Sequence, residues 1–360
     1  MQLNNFVSNT LAGSSNQYFF ISDGKTHKGR IFYKITQKGE YDYSFLFTNI
    51  IDSTYGDGSV SHKNLLCPSW EIVKCRVATC NAIDNSILNE EFKTVTFNGN
   101  ETKNVEENEV FVSDPVTLSP SEYLCYEITF KGEKIPYHEE LIISAFTEEN
   151  GQWKIDRRVP LPSMIGCSRK VKKRIAFLGD SITQGCGTPN DSYAHWNSVL
   201  AEKLGNEYAY WNLGIGYGRA SDASTDGIWL LKVKKNDIVF VCFGVNDILH
   251  GDSGAEQICS DINTIISKLK EAGLKVVLQT VPPFDYTGEN IDKWKNVNKY
   301  IKNELVQKVD FVFDNVPVLR KNAEEEHIAL YGGHPNIEGC RKWAEALYEK
   351  LKEQDFEVLK

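Results

Sequence analysis

A serine, a carboxamide and an imidazole stand in three short segments far apart in the chain: Gly179-Asp180-Ser181-Ile182-Thr183, Gly244-Val245-Asn246-Asp247 and Gly332-Gly333-His334-Pro335-Asn336. By type these are a nucleophile, a donor for a developing oxyanion and a general base, the kit for acyl transfer. A serine hydroxyl attacks poorly unless a base lies within about 3 Å, and His334 is the candidate. After attack on an ester carbonyl the tetrahedral oxygen carries charge. Three kinds of donor could meet it: the Ser181 N–H, an N–H from Gly216 or Gly218, and the Asn246 amide. Losing one such donor typically costs about 3 kcal/mol of barrier. Each segment alone also reads as an ordinary turn, so their placement decides the matter.

Placement follows from the periodicity of the second half. Apolar runs at 174–178, 208–213, 237–243, 275–281 and 310–313 alternate with amphipathic stretches at 192–204, 224–231, 255–272, 292–306 and 337–352. Continuous β-branched runs between amphipathic helices indicate a parallel sheet covered on both faces. The expected architecture is a three-layer αβα, flavodoxin-like domain with five strands, whose ligand crevice lies at the carboxyl ends of the strands. Ser181 follows the first run, the glycine-rich segment Asn212–Gly218 the second and Asn246 the third, so all three should emerge at one edge. His334 precedes the last helix, which can return to that edge.

Up to about residue 165 the pattern is period two instead. Tyr41, Tyr43, Phe45 and Phe47 alternate with Asp42, Ser44 and Leu46, and similar strands are expected at 18–22, 30–35, 70–79, 93–98, 123–130 and 140–146. Turns such as Gly56-Asp57-Gly58 and Asn98-Gly99-Asn100 separate them. Many short strands with regular turns mean an all-β sandwich, jelly-roll-like in kind. The expected division is a sandwich domain over 1–165 and a catalytic domain over 166–360, the latter entered through the basic linker Gly166-Cys167-Ser168-Arg169-Lys170-Val171-Lys172-Lys173-Arg174. The sandwich aromatics fit core packing more economically than a carbohydrate-binding face.

Bulk properties narrow the partners. A net charge of -9 argues against nucleic acid or an anionic membrane as the main partner, because both demand a basic footprint. No stretch approaches the ~18 apolar residues of a membrane span. The N-terminus, Met1-Gln2-Leu3-Asn4-Asn5, lacks a basic start and an apolar h-region, so it is not a secretory signal. The nine cysteines show no CxxC pairing. They read as free thiols of a reducing, cytoplasmic compartment, and no metal-ligand spacing is present.

Taken together, these blocks resemble the SGNH, or GDSL, hydrolase family over roughly residues 172–353. Ser181 matches its first block, Asn246 its third and His334 its last, with Pro335-Asn336 trailing. The second block, Asn212-Leu213-Gly214-Ile215-Gly216-Tyr217-Gly218, is similar but imperfect: the family's oxyanion glycine falls about where Tyr217 stands, leaving Gly216 or Gly218 to serve. The resemblance implies hydrolysis of esters, thioesters or carbohydrate acetyl groups by a serine nucleophile, with no metal and no cofactor. The two-domain plan is similar to carbohydrate esterase family two, which removes acetyl groups from sugars.

One departure stands out. The family carries an aspartate three residues before the histidine, where this chain has Tyr331. Without it, His334 is oriented by a backbone carbonyl as a dyad, or a carboxylate such as Asp314 or Glu338 reaches in as third member, or catalysis is weakened. Tyr217, Trp229 and Tyr331 are candidate substrate-binding residues, with core packing the bland role for Trp229. Asp180 and Asp247 read as turn carboxylates that organise loop amides. The expected function is deacetylation of a small acylated carbohydrate. The alternatives are a lipid or thioester acyl hydrolase and a catalytically weakened carbohydrate-binding protein.

Overall fold

A computed structural model describes residues 5–13, 15–52, 67–86, 88, 91–251 and 253–356. The expected turn at Gly56-Asp57-Gly58 lies outside them. The chain divides into two units, Met1–Val171 with Ala209–Trp211, and Lys172–Tyr208 with Asn212–Lys360.

The first unit is built of antiparallel strands. One sheet centres on Tyr123–Gly132, flanked in register by Thr26–Lys34 and Trp70–Cys80. A second sheet centres on Tyr41–Thr48, which pairs with Met164–Cys167, Val110–Val112 and Val116–Leu118. Alternation puts Tyr43, Phe45 and Phe47 on one face, all buried. Phe45 and Phe47 meet Tyr126 of the other sheet at ring-centroid distances of 6.1 and 6.4 Å, so the two sheets share an aromatic core. These aromatics are packing residues. The strand expected at 140–146 is instead Ala145–Glu149. The apolar run Leu141–Ile143 is buried, but Leu141 N–H turns back to the His138 carbonyl instead of joining a ladder. The unit also continues past residue 165, because Met164–Cys167 is hydrogen-bonded into the second sheet.

The second unit carries a five-stranded sheet. In chain order its strands are Lys173–Gly179, Tyr208–Gly214, Ile238–Cys242, Lys275–Gln279 and Phe311–Phe313, and in space they run second, first, third, fourth, fifth. The ladders from the first strand to the third, the third to the fourth and the fourth to the fifth are all parallel. Strands two and three are buried at every position, as expected for a sheet covered on both faces. The long helices are α2 (Trp196–Leu204), α6 (Ala255–Glu271), α7 (Glu289–Asn303) and α9 (Ile337–Glu353). Helix α2 packs on α9, and α6 packs on α7, which gives the two covering groups.

Between strands and long helices lie five short helices: α1 (Ser181–Gln184), α3 (Ala220–Ala223), α4 (Ile228–Val233), α5 (Val245–His250) and α8 (Val316–Leu319). Helices α1, α3 and α5 were not legible as helices in the sequence, because four to six residues hold too little of a 3.6-residue period. They follow strands one, two and three and carry or flank the candidate residues.

The α2–α9 layer is joined to the sheet by tryptophans. Trp196 stacks on Trp343 with centroids 5.1 Å apart and meets Phe177 edge-on at 5.4 Å. The buried Trp343 Nε1–H donates to Gln279 Oε1 at 2.8 Å, so its one polar atom is satisfied. Trp343→Ala removes both ring and bond. The expected loss is about 3–5 kcal/mol, read as a fall in the urea midpoint of the intact protein. A loss below about 1 kcal/mol would contradict this packing.

Candidate active site

Ser181 opens α1 directly after the first strand. The buried Asp180 is the helix N-cap and accepts the Ile182 N–H at 3.0 Å. The Ser181 N–H finds no acceptor among the described residues. At the other end of α1, the Ser181 carbonyl takes N–H groups from Gly185 and Cys186. The Thr183 and Gln184 carbonyls take the side-chain amides of Asn197 (2.5 Å) and Asn212 (3.1 Å). Gly214 backs onto this turn so closely that a Cβ there would lie 2.2 Å from Gln184 N. Both glycine and asparagine of the second block therefore hold the serine turn.

Across the chain, Ser181 Oγ and His334 Nε2 are 2.8 Å apart. His334 is held from two sides. The Phe284 ring meets the imidazole edge-on at 5.2 Å and 77°, and Gly333 lies against the same ring. Gly187, at φ +97°, approaches so near that a Cβ there would lie 2.6 Å from the His334 carbonyl oxygen. Two residues on, Asn336 caps α9 by accepting the Gly339 N–H. Neither Phe284 nor Gly187 was identified from sequence. The available signal for Phe284 was its place on the loop after the fourth strand, at the carboxyl edge.

Among the described residues, no charged group shifts the imidazole. Burial is the single cause that lowers its pKa from the ordinary value of 6.5. The candidate third members are engaged elsewhere. Asp314 accepts from Thr280 Oγ1 (3.1 Å) and the Val316 N–H (3.2 Å) and pairs with Lys302 at 3.2 Å. Glu338 is exposed and pairs with Lys342. The expectation that either completes a triad is corrected: each sits in its own local network, and neither acts on His334. Tyr331 is half-buried. Lys342 Nζ lies 5.2 Å from its ring centroid, and its Cβ abuts Gly339, so it packs on the start of α9.

Asn246 lies in α5 after the third strand, buried to 7% exposure. One N–H of its amide donates to the Gly218 carbonyl at 3.1 Å, and the other has no acceptor among the described residues. The next residue, Asp247, accepts the Ala220 N–H at 3.0 Å. Asn246 and Asp247 thus grip the loop after the second strand at both ends of a three-residue span.

That loop settles which glycine is available. Gly218 N–H is donated to the Ile215 carbonyl at 3.1 Å, closing a turn, so Gly218 is not a free oxyanion donor. Gly216 N–H has no acceptor among the described residues. Tyr217 takes φ +58°, a conformation that favours glycine and that costs a bulky residue roughly 1–3 kcal/mol. The backbone shape expected of a glycine is thus present with a tyrosine side chain on it. Trp229 lies beneath: fully buried, donating Nε1–H to the Leu213 carbonyl at 2.7 Å, and packed against Gly218 and Phe243. It is a core residue, which corrects its candidacy as a substrate contact.

All nine cysteines are free thiols. Among the described residues, no group of three or more His, Cys, Asp or Glu side chains is placed to hold a metal ion, and no helix is long and apolar enough to cross a membrane.

With this geometry in hand, residues 177–342 match the family model described as the GDSL-like lipase/acylhydrolase family. Solved structures similar to this chain include a family-two carbohydrate esterase from Clostridium thermocellum in complex with cellohexaose. It is 14% identical with a TM-score of 0.42, and the match covers 97% of this chain and 98% of that one. An acetyl xylan esterase, AlAXEase, is 21% identical, covers 49% of this chain and 99% of its own, and has a TM-score of 0.40. A GDSL-like lipase from Bacteroides thetaiotaomicron is 17% identical, covers 51% and 89%, and has a TM-score of 0.40. No curated protein matches the chain.

The two carboxylates beside the site have a consequence for stability. Burial pushes Asp180 and Asp247 each up to about 7, and in Asp180 the Asp247 charge adds to the rise. An unfolded aspartate titrates near about 3.9. Between about pH 4 and 7 the folded protein therefore binds more protons at these sites, so their contribution is full below about 4 and is lost as pH rises through about 7. Asp180→Asn and Asp247→Asn should each flatten the fall of stability over that window. Urea midpoints at several pH values test it, and an unchanged slope in both variants would refute the raised values.

Proposed function

We propose, for a chain whose residues 177–342 form a GDSL-like lipase/acylhydrolase domain, that it is a serine esterase removing a short acyl group, acetyl above all, from a carbohydrate hydroxyl. The observation that carries this reading is the 2.8 Å contact between Ser181 Oγ and His334 Nε2, a nucleophile within proton-transfer reach of its base.

In the first half-reaction, His334 Nε2 takes the Ser181 proton as Oγ bonds to the acyl carbon. The carbonyl π electrons move to its oxygen, which meets the Ser181 N–H, the Gly216 N–H and the second N–H of the Asn246 amide. Collapse of this intermediate breaks the bond to the sugar oxygen, which leaves with the proton from His334. In the second half-reaction His334 takes a proton from water, the hydroxide adds to the acyl carbon of acyl-Ser181, and collapse returns the proton to Oγ with release of the carboxylic acid.

His334 acts without a carboxylate partner. Its lowered pKa keeps the imidazole neutral and ready to accept a proton at neutral pH. The imidazolium of the transition state gains no ion pair, so turnover is expected below that of full triads.

Two features favour a carbohydrate on the alcohol side. The leaving oxygen must come within reach of His334 Nε2, and chain neighbours of His334 and of Phe284, which packs on it, are exposed: Gly332, Asn336, Asp285 and Thr287. Half-buried Phe284 stands among them, and an aromatic surface in a polar rim suits a pyranose ring.

Ser181→Ala and His334→Ala should each reduce p-nitrophenyl acetate turnover by at least about 10³-fold. Asn246→Ala should lower kcat by about 10²–10³-fold. Asp314→Asn and Glu338→Gln should stay within about twofold, since neither touches the imidazole. The acid limb of kcat/KM should fall below about 6.5, the ordinary histidine value. Mass spectrometry of quenched turnover should find an acetyl group on Ser181, and full activity in Ser181→Ala would refute the proposal.

A further inference from the structure

We infer that Tyr217 and His250 form the wall against which the acyl group packs, and that this pair confines the enzyme to very short acyl chains; the inference rests on the esterase reading above. Tyr217 stands at φ +58° in the turn that carries the oxyanion loop, where the family resemblance places a glycine. A glycine there would carry no side chain; the tyrosine puts a ring one residue on from Gly216, beside His250. Its ring is half-buried and meets the His250 imidazole at 6.2 Å and 58°. His250 lies four residues after Asn246 in α5, so the two side chains share one helix face a single turn apart. The Tyr217–His250 pair therefore lies on the Asn246 flank of Ser181. The neighbouring Gly218 carbonyl is tied to the Asn246 amide, which fixes the loop from which Tyr217 projects.

The tetrahedral carbon has four substituents. Ser181 Oγ is one. The oxyanion faces the donors, and the leaving oxygen must face His334 Nε2. The acyl chain takes the remaining direction, and on this inference it runs along the loop after the second strand, where Tyr217 and His250 meet. Each added methylene must then displace an aromatic ring pinned by its backbone.

The test is the acyl-length profile, measured as kcat/KM for p-nitrophenyl acetate, butyrate and hexanoate. Tyr217→Gly, which suits the positive φ, should raise the butyrate-to-acetate ratio by about tenfold or more, the scale of one or two methylenes in a pocket. His250→Ala should move the ratio the same way by about threefold or more, and it reads the same wall should the glycine variant not fold. Tyr217→Phe should keep the wild-type ratio. Ratios unchanged in both wall variants, with turnover still abolished by Ser181→Ala, would overturn this inference and leave the esterase reading intact. A wild-type protein with no Ser181-dependent turnover of any of the three esters would overturn the esterase reading and this inference with it.

Discussion

A helix of four residues cannot hold itself together, and the candidate site depends on one. Helix α1 forms almost no intrahelical bonds of its own, so its end groups must be satisfied from outside. Asp180 takes N–H groups at its start, while Gly185, Cys186, Asn197 and Asn212 donate to carbonyls of its few residues. Gly214 lets the second strand close on it without a side chain between. The Ser181 N–H is left over from this accounting, next to its own hydroxyl. The proposed nucleophile and one proposed oxyanion donor thus come from the same constraint: a turn too short to satisfy itself, braced by buried amides on neighbouring segments.

The proposed base, His334, is oriented by shape instead of charge. In a full triad a carboxylate fixes the tautomer and stabilises the imidazolium. Here Phe284 and the close approaches at Gly187 and Gly333 restrict where the ring lies. Packing of this kind specifies position but supplies no counter-charge, which agrees with burial being the single influence on His334. The carboxylates that do stand near the site are used as caps. Asp180 holds α1, and Asp247 holds the start of α3. Both are expensive to ionise where they lie; Tyr286 feels the charge of both and Cys242 that of Asp180. Preorganised backbone N–H groups are thus obtained at a cost in stability at neutral pH.

Much of this was legible in the chain. The five apolar runs became the five strands because a strand buried on both faces leaves a continuous apolar signature. The long helices α6 and α9 fall close to the stretches their apolar periodicity marked, Ala255–Glu271 and Ile337–Glu353. The reading failed where a local pattern has no room to form or where the answer lies across the fold. Helices α1, α3 and α5 are too short to show a period. Trp229 has the residue type of a sugar platform, yet its indole is spent on the Leu213 carbonyl. Tyr217 does not match by residue type, although its φ does. Asp314 has the right chemistry at a strand end and is claimed by Thr280, Val316 and Lys302.

By itself the sequence determined the kinds of element, their order and the chemical types at the strand exits, because burial pattern and residue chemistry are local properties. It also determined that a carboxylate was missing at position 331. Only the tertiary structure decided that a hydroxyl and an imidazole separated by 153 residues stand 2.8 Å apart, that Phe284 is the group against which the imidazole rests, and that Gly218 has already given its N–H away. Those outcomes depend on strand order and on which loop backbones find partners first. Both are set by the closure of the whole sheet and its helices, a non-local balance that no short window of residues contains.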